Sequence, residues 1–161
     1  MANLGIPVSV RPARRDDMPA LRRIWLELMH MHESQDVSFA LAKDGVHKWQ
    51  QMAEDMLDRE DTFVLAAADA RDLLGFCLGW VARNPPIYKV SEVGFISEIA
   101  VARAAQRRGV GSALIAEARR WFRARGLQEF QLSTAVWNAP AQSFWTAVGG
   151  HPLLVRYRFD V

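Results

Sequence analysis

Cysteine is nearly missing: Cys77 stands alone in 161 residues. That excludes an intrachain disulfide framework and a cysteine-built zinc site, and it fits a reducing, cytoplasmic compartment. Long apolar runs are missing too. Nothing approaches the ~18 residues of a membrane span, and Met1 to Val10 lacks the charged start and apolar core of an export signal, so neither membrane insertion nor secretion is expected. Charge of one sign is scarce: 20 Lys and Arg against 18 Asp and Glu leave a formal +2, and no global basic field argues for nucleic acid. The arginines do cluster locally, at positions 103, 107, 108, 119, 120, 123 and 125. Trp121 and Phe122 do not interleave with them as base stacking would need, and a solvated helix face is the expected reading. His30 and His32 are spaced i, i+2, off a common helix face and without the His-Glu-x-x-His arrangement, so no metal site is expected. Repeats and low-complexity segments are absent as well.

What is present is ordinary globular composition, 50% hydrophobic and 24% charged. The length suits one domain with a real core and is short for two; a single domain over 1–161 is expected. Val8 to Pro12 reads as a first strand. Leu21, Ile24, Trp25 and Leu28 recur at helical spacing, predicting an amphipathic helix over 17–31 with Asp16 or Asp17 as cap and Pro19 in its first turn. Residues 32–44 have no period and are expected to form a loop. Val46, Trp49, Ala53, Met56 and Leu57 make one face of a second helix. Thr62–Ala68, Leu73–Arg83 and Val90–Ala102 predict an antiparallel meander, with a bulge or bend at Gly94. A helix follows Gly109, then a strand over Glu129–Ala135, a short helix over Ala139–Val148, and a final strand over His151–Val161. This order predicts an α+β fold with helices on the faces of a mixed sheet.

The chain is organised around Ser97 to Leu114. An apolar strand ends in Ile99-Ala100-Val101, a basic turn follows, and Gly109-x-Gly111 opens a helix. Two glycines at a helix start let backbone N–H groups approach an anion. Those N–H groups lack intrahelical partners, and the helix dipole adds about half a positive charge there. Alone, Gly-x-Gly reads first as an ordinary strand–turn–helix corner, and the case for an anion site comes from the rest of the chain. A dinucleotide fingerprint needs a further Gly where Leu114 stands, and no Gly-Lys-Ser/Thr makes a Walker loop.

Gln106-Arg107-Arg108-Gly109-Val110-Gly111 resembles the pyrophosphate loop of the GNAT superfamily of acetyl-CoA-dependent N-acetyltransferases. Asn138-Ala-Pro-Ala141-Gln-Ser143-Phe144-Trp145, running on to Gly149, resembles that family's second signature. The element order corresponds from Val8 to Val161. The resemblance implies a GNAT-like fold: a central, mostly antiparallel, splayed sheet of six to seven strands flanked by about four helices. It implies acetyl-CoA as acyl donor, with no metal. Pantetheine would lie along Ile99, Ala100 and Val101, and the pyrophosphate on Gln106, Arg107, Arg108, Gly109, Val110, Gly111 and Ser112. Asn138, Ser143 and Trp145 would hold the other side. The expected reaction is direct attack by a primary amine of a small molecule, peptide or protein in a ternary complex, with the Val101 N–H as candidate oxyanion donor. A homodimer is compatible with this reading.

Glu98, a carboxylate in an apolar strand, is the best general-base candidate, since desolvation would raise its pKa towards the useful range. The alternative is a strand-edge Glu facing solvent or pairing with Arg103. Glu92 is a second candidate. Many family members carry Tyr where Trp145 stands, and an indole N–H is no practical acid. Ser143, Tyr88 and Tyr157 are possible substitutes, and a thiol that ordinarily ionises near roughly pH 8.5 leaves as thiolate without one. Trp145 also keeps open a non-catalytic acyl-CoA-binding or regulatory domain. Trp25 and Trp49 read as packing residues and Cys77 as an inert core thiol. Trp80, Tyr88 and Pro85-Pro86 are candidates to line the acceptor cleft.

Overall fold

A computed structural model of the chain describes residues 8–161. Four helices surround one five-stranded sheet, β1 (Ser9–Pro12), β2 (Thr62–Ala68), β3 (Leu73–Arg83), β4 (Glu92–Val101) and β5 (Phe130–Leu132), whose spatial order is the chain order. The first four strands pair antiparallel and β5 joins β4 in parallel. Asp69 turns β2 into β3: its carboxylate accepts the N–H groups of Arg71 and Asp72, each at 2.9 Å, which replaces backbone bonds in the turn.

Helix α1 (Met18–Gln35) buries Met18, Leu21, Ile24 and Trp25, and α2 (Gly45–Met56) buries Trp49, Ala53 and Met56. Both lie on the sheet face carrying Phe76 and Leu78, where the Trp49 and Phe76 rings meet edge-on at 5.8 Å. Helix α3 (Val110–Arg123) covers the opposite face with Val110, Leu114, Ile115, Ala118 and Phe122. A two-sided core of fully buried aliphatic and aromatic side chains results, each worth about 1.5–3 kcal/mol of transfer free energy. Helix α4 (Ala139–Ala147) buries none of its residues. Pro19 stands in the first turn of α1 as expected. Asp17 precedes that helix but its side chain does not cap it; the carboxylate instead takes two bonds from Arg11, at 2.7 and 2.9 Å, and one at 2.7 Å from the Arg14 N–H, at the start of the 3-10 turn Arg15–Asp17.

Four expectations are corrected. The first helix runs on to Gln35, because its last turn is solvated and needs no apolar period; the loop begins only at Asp36, whose N–H closes on the His32 carbonyl at 3.0 Å. The bulge lies at Ser97, not Gly94: Leu78 pairs with Glu98 and Gly79 with Ile96, leaving Ser97 unpaired between them. Gly94 is a packing glycine, where a Cβ would come within 2.6 Å of Phe122. Among the described residues the sheet has five strands and not six or seven, and β5 is only Phe130–Leu132. The missing strand is His151–Val161, which carries strand-like alternation but has no ladder partner among the described residues and is exposed throughout.

Candidate functional site

The site begins where β4 and β5 part. Their pairing covers only Gly94, Phe95 and Ile96 on β4. Residues 97–101 of β4 therefore have a neighbouring strand on the β3 side alone, and a cleft opens along the other edge. Ile99 and Val101 pair with Cys77 and Gly75 of β3, on the α3 face, while Glu98 and Ala100 pair with Leu78 and Phe76 on the α1–α2 face.

Glu98 is the charged group of this cleft. The Trp49 indole N–H donates to its carboxylate at 2.7 Å. Trp25 stacks on Trp49 with ring centroids 4.6 Å apart and planes 14° from parallel. The Trp25 Nε1 is buried without a hydrogen-bond partner, and its N–H dipole also favours the anion. Burial is the larger influence and pushes the Glu98 pKa up, the two indoles opposing it. Glu98 is half-buried, not solvent-facing, and among the described residues it forms no ion pair with Arg103, whose backbone N–H donates to Glu27 at 3.0 Å. Glu92 stands at the far end of β4, its carboxylate 3.7 Å from Arg83.

Downstream of β4 a 3-10 turn over Arg103–Ala105 leads to Gln106, whose side chain reaches back to the Val101 carbonyl at 3.4 Å. Arg107 (φ 60°) and Gly109 (φ 81°) hold left-handed backbone. For arginine this costs roughly 1–2 kcal/mol, and such turns aim successive N–H groups into one concavity. No side chain caps α3, and its first backbone bond runs from the Ala113 N–H to the Gly109 carbonyl. The amides of Val110, Gly111 and Ser112 thus remain unpaired within the helix. A Cβ at Gly109 would meet nothing within 4 Å, so the approach to these amides is open. Arg108 leans 3.8 Å from Asp69 in the β2–β3 turn. Together these features fit a diphosphate anion.

The second signature is brought to the first. A Cβ at Gly111 would lie 3.1 Å from the Phe144 ring, so α4 packs on the opening turn of α3. Arg119 ties the far end of α4 by donating to the Val148 carbonyl at 2.5 Å. Asn138 caps α4 by accepting the Ala141 N–H at 3.2 Å, which leaves its amide nitrogen as the group for a ligand. Ser143 is exposed and Trp145 half-buried against Phe144, their rings 4.9 Å apart. Tyr88 and Tyr157 are 60% and 76% exposed and lie outside the arrangement. Trp80 packs on Phe95 at 5.1 Å.

Two features escape the sequence. The indoles of Trp25 and Trp49 read there only as apolar surface, although a buried indole N–H needs an acceptor and Glu98 is the one anion inside the apolar strand, Glu92 standing at its first position. His32, Phe39 and Trp137 form an aromatic cluster, with His32 5.2 Å from each ring. It joins the end of α1 to the loop after β5, spanning the two sides of the opening; only helical continuation past Met31 would have shown it. Among the described residues no His, Cys, Asp and Glu group could hold a metal ion, and no helix is long and apolar enough to cross a membrane. Arg125 lies over the Trp121 ring at 3.4 Å and Arg119 over Phe130 at 5.6 Å, so two of the clustered arginines are packing groups.

The structure is a splayed mixed sheet with an amide-lined loop between β4 and α3, and the sequence places it in a class: residues 19–149 match the Acetyltransferase (GNAT) family. The chain belongs to that family. A search of curated proteins gives no match. Among solved structures, the tetramutant of BH1408 protein from Bacillus halodurans superposes with a TM-score of 0.83 at 14% identity, over 95% of this chain and 99% of that one. Aminoglycoside N-acetyltransferase AAC(6')-Iy in complex with CoA gives 0.76 at 20% identity, over 100% of both chains. Aminoglycoside 6'-N-acetyltransferase AAC(6')-IG from Acinetobacter haemolyticus gives 0.72 at 18%, over 95% and 99%. At these identities the likeness is one of fold.

Proposed function

We propose that residues 1–161 form one acetyltransferase domain that moves an acetyl group from acetyl-CoA to a primary amine of a small molecule or peptide. The observation that carries this reading is the Glu98 carboxylate, its pKa raised by burial and its orientation fixed by Trp49, at the point where β4 leaves β5 and upstream of the amide-lined loop. The acyl donor supplies an activated thioester carbonyl. The unpaired amides of Val110, Gly111 and Ser112 would hold its diphosphate, and the free edge of β4 its pantetheine arm. Glu98 takes a proton from the acceptor ammonium, directly or through one water, leaving the nitrogen lone pair free to attack. The new C–N bond forms, and the Val101 N–H donates to the developing oxyanion. The C–S bond then breaks. The sulfur leaves as thiolate and takes its proton from solvent or from the amine nitrogen, since no tyrosine stands in place of Trp145.

The acceptors named for two of the neighbours are aminoglycosides, which makes these polyamines sensible members of a test panel beside monoamines and peptides. The test is free-thiol release from acetyl-CoA over that panel, with calorimetric titration of CoA alongside. Amine-dependent release that Glu98→Gln lowers at neutral pH supports the reading. CoA binding with no release for any amine would establish the non-catalytic reading that Trp145 keeps open.

A further inference from the structure

Outward from Glu98 the cleft is walled by rings. Trp25, stacked on the indole that holds Glu98, and His32 are seven residues apart on α1. Two helical turns put them on one face, about 10 Å apart along the axis. Leu28 and Met29 lie between them, partly buried. His32 meets Phe39 of the following loop and Trp137 of the loop after β5, each at 5.2 Å, and those two rings meet edge-on at 6.4 Å. The His32 Nδ1 lies 2.9 Å from the Leu28 carbonyl, which can only accept, so that nitrogen carries the proton and the ring is held in place. The cluster is not sealed. Phe39 is 37% exposed, and Val37 and Val136, close by in the chain, are 80% and 82% exposed. Apolar surface left bare at the mouth of a cleft calls for an apolar ligand.

The carboxylates near this wall are already spent. Asp36, in the same loop as Phe39, accepts the Ser38 N–H at 3.0 Å, the Ser38 hydroxyl at 2.8 Å and Arg158 at 2.8 Å. Glu27 accepts from the Arg103 N–H and from Arg23, at 3.0 and 3.3 Å, and Asp44 holds Lys48 at 2.8 Å. Glu33 is exposed and turned about 100° around α1 from His32. From Ser133 to Gly150 there is no carboxylate at all. Among the described residues of these elements, Glu98 alone is left to receive an ammonium group in the cleft. A polyamine would set its further ammonium groups against apolar rings and the Arg158 guanidinium, each losing water without a carboxylate in return.

We propose, resting on the acetyl-transfer reading above, that His32, Phe39 and Trp137 bind the body of the acceptor and that the acceptor is a small arylalkyl monoamine: one ammonium group, a short link and one aromatic ring. The ammonium sits at Glu98, directly or through one water, and the ring lies against the wall at the far end of the shared α1 face. The distance between the two levels, about 10 Å along α1, is the span of an ammonium, a two-carbon link and a ring with their contacts. Aromatic side chains gain more from a further ring than from apolar area alone. His32 and Trp137 also come together from opposite sides of the opening. An extended peptide, at roughly 3.3 Å per residue, would meet that bridge after about three residues. The wall therefore selects against both polypeptide chains and polycations.

Free-thiol release from acetyl-CoA by the unmodified chain, measured with 2-phenylethylamine, ethylamine, spermidine and a tetrapeptide carrying a free amino terminus, tests this. Calorimetry of the same four amines on the CoA-loaded protein reads affinity without turnover. For 2-phenylethylamine, kcat/KM is expected to exceed that of each other amine at least about tenfold, with the same order in affinity. Phe39→Ala and Trp137→Ala should each lower the preference over ethylamine about tenfold, through KM. Preference for spermidine or the peptide, equal use of all four amines, or a preference that survives both substitutions overturns the proposal and leaves acetyl transfer standing. Ring-dependent binding with no release for any amine upholds the aromatic subsite and overturns acetyl transfer instead. Absence of preferential 2-phenylethylamine binding in both readouts overturns the subsite.

Discussion

Trp49→Phe isolates the one contact on which the proposed chemistry turns. Phenylalanine keeps an aromatic ring to stack on Trp25 and removes the N–H that reaches Glu98 at 2.7 Å together with the five-membered ring that carries it. A hydrogen bond to a charged group is worth roughly 1.5–3 kcal/mol and one to a neutral group about 0.5–1.5, so the donor favours carboxylate over carboxylic acid by about 1–2 kcal/mol. That difference is about five- to thirtyfold in proton affinity. Its sign is fixed: losing the donor leaves the anion less stable, so Glu98 in the variant stays protonated to higher pH. The ascending limb of kcat/KM against pH should move to the alkaline side, with activity falling most below neutrality and converging with the parent above the shifted limb. KM for acetyl-CoA should hold, because the amide-lined loop lies past the end of β4 and does not touch Trp49. The assay is thiol release over a pH series, repeated in a Glu98→Gln background where the substitution should have no further pH effect. A uniform loss of activity at every pH, or a limb that does not move, refutes the reasoning and returns Trp49 to packing alone.

Gly109→Val forces a β-branched residue to φ 81°, a strain of roughly 1–2 kcal/mol, and sets a side chain before the amides of α3. Since a Cβ there meets nothing within 4 Å, the fold should survive while calorimetry finds CoA bound at least about tenfold more weakly; undiminished affinity would sink the diphosphate assignment. Asp17→Asn should cost about 1–3 kcal/mol, since three bonds from Arg11 and Arg14 converge on a nearly buried carboxylate, lowering Tm by about 2–4 °C per kcal/mol. Arg11 chiefly depresses the Asp17 pKa, so this stability is fully present above the unfolded carboxylate value and is lost as pH falls through the depressed folded one. The Tm gap between parent and variant should therefore close in strong acid, and a constant gap would show that charge is not its source. Cys77 is fully buried and burial pushes its thiol up; iodoacetamide should label it only on unfolding, and rapid native labelling would contradict the packing of β3.

Legibility along the chain follows how much each signal depends on distant partners. Periodic faces such as Leu21, Ile24 and Trp25 or Val110, Leu114 and Ala118 declare a helix locally, and both helices are present. Gln106 to Gly111 declares a turn whose backbone chemistry is local as well, and left-handed backbone stands at Gly109, with Arg107 in addition. The boundary at Gln35 is illegible because a solvated last turn carries no hydrophobic period. Ser97 is illegible because a bulge is a mismatch between two strands, and neither strand alone encodes it. His151–Val161 has the pattern of a strand without pairing into the sheet among the described residues, since alternation specifies a face and not the presence of a neighbour.

The bulge is what turns an ordinary interior strand into a candidate site. Along β4, Gly94 and Ile96 face α3, as shown by the approach of Phe122 to Gly94 and the pairing of Ile96 with Gly79. In an unbroken strand Glu98, two residues further, would face the same way and bury a carboxylate beside Cys77 and the apolar side of α3, where no donor awaits it. One unpaired residue at Ser97 reverses every later side chain. Glu98 is thereby aimed at the indoles of Trp25 and Trp49, and Ile99 and Val101 are moved to the face that leads into the loop. The bulge begins at the residue after Ile96, which is also the last to pair with β5. Ending the ladder and re-aiming the carboxylate are then one structural event: the residue that frees the backbone edge, where the proposed reading puts the pantetheine arm, also places beside it the carboxylate of raised pKa that this reading uses as base.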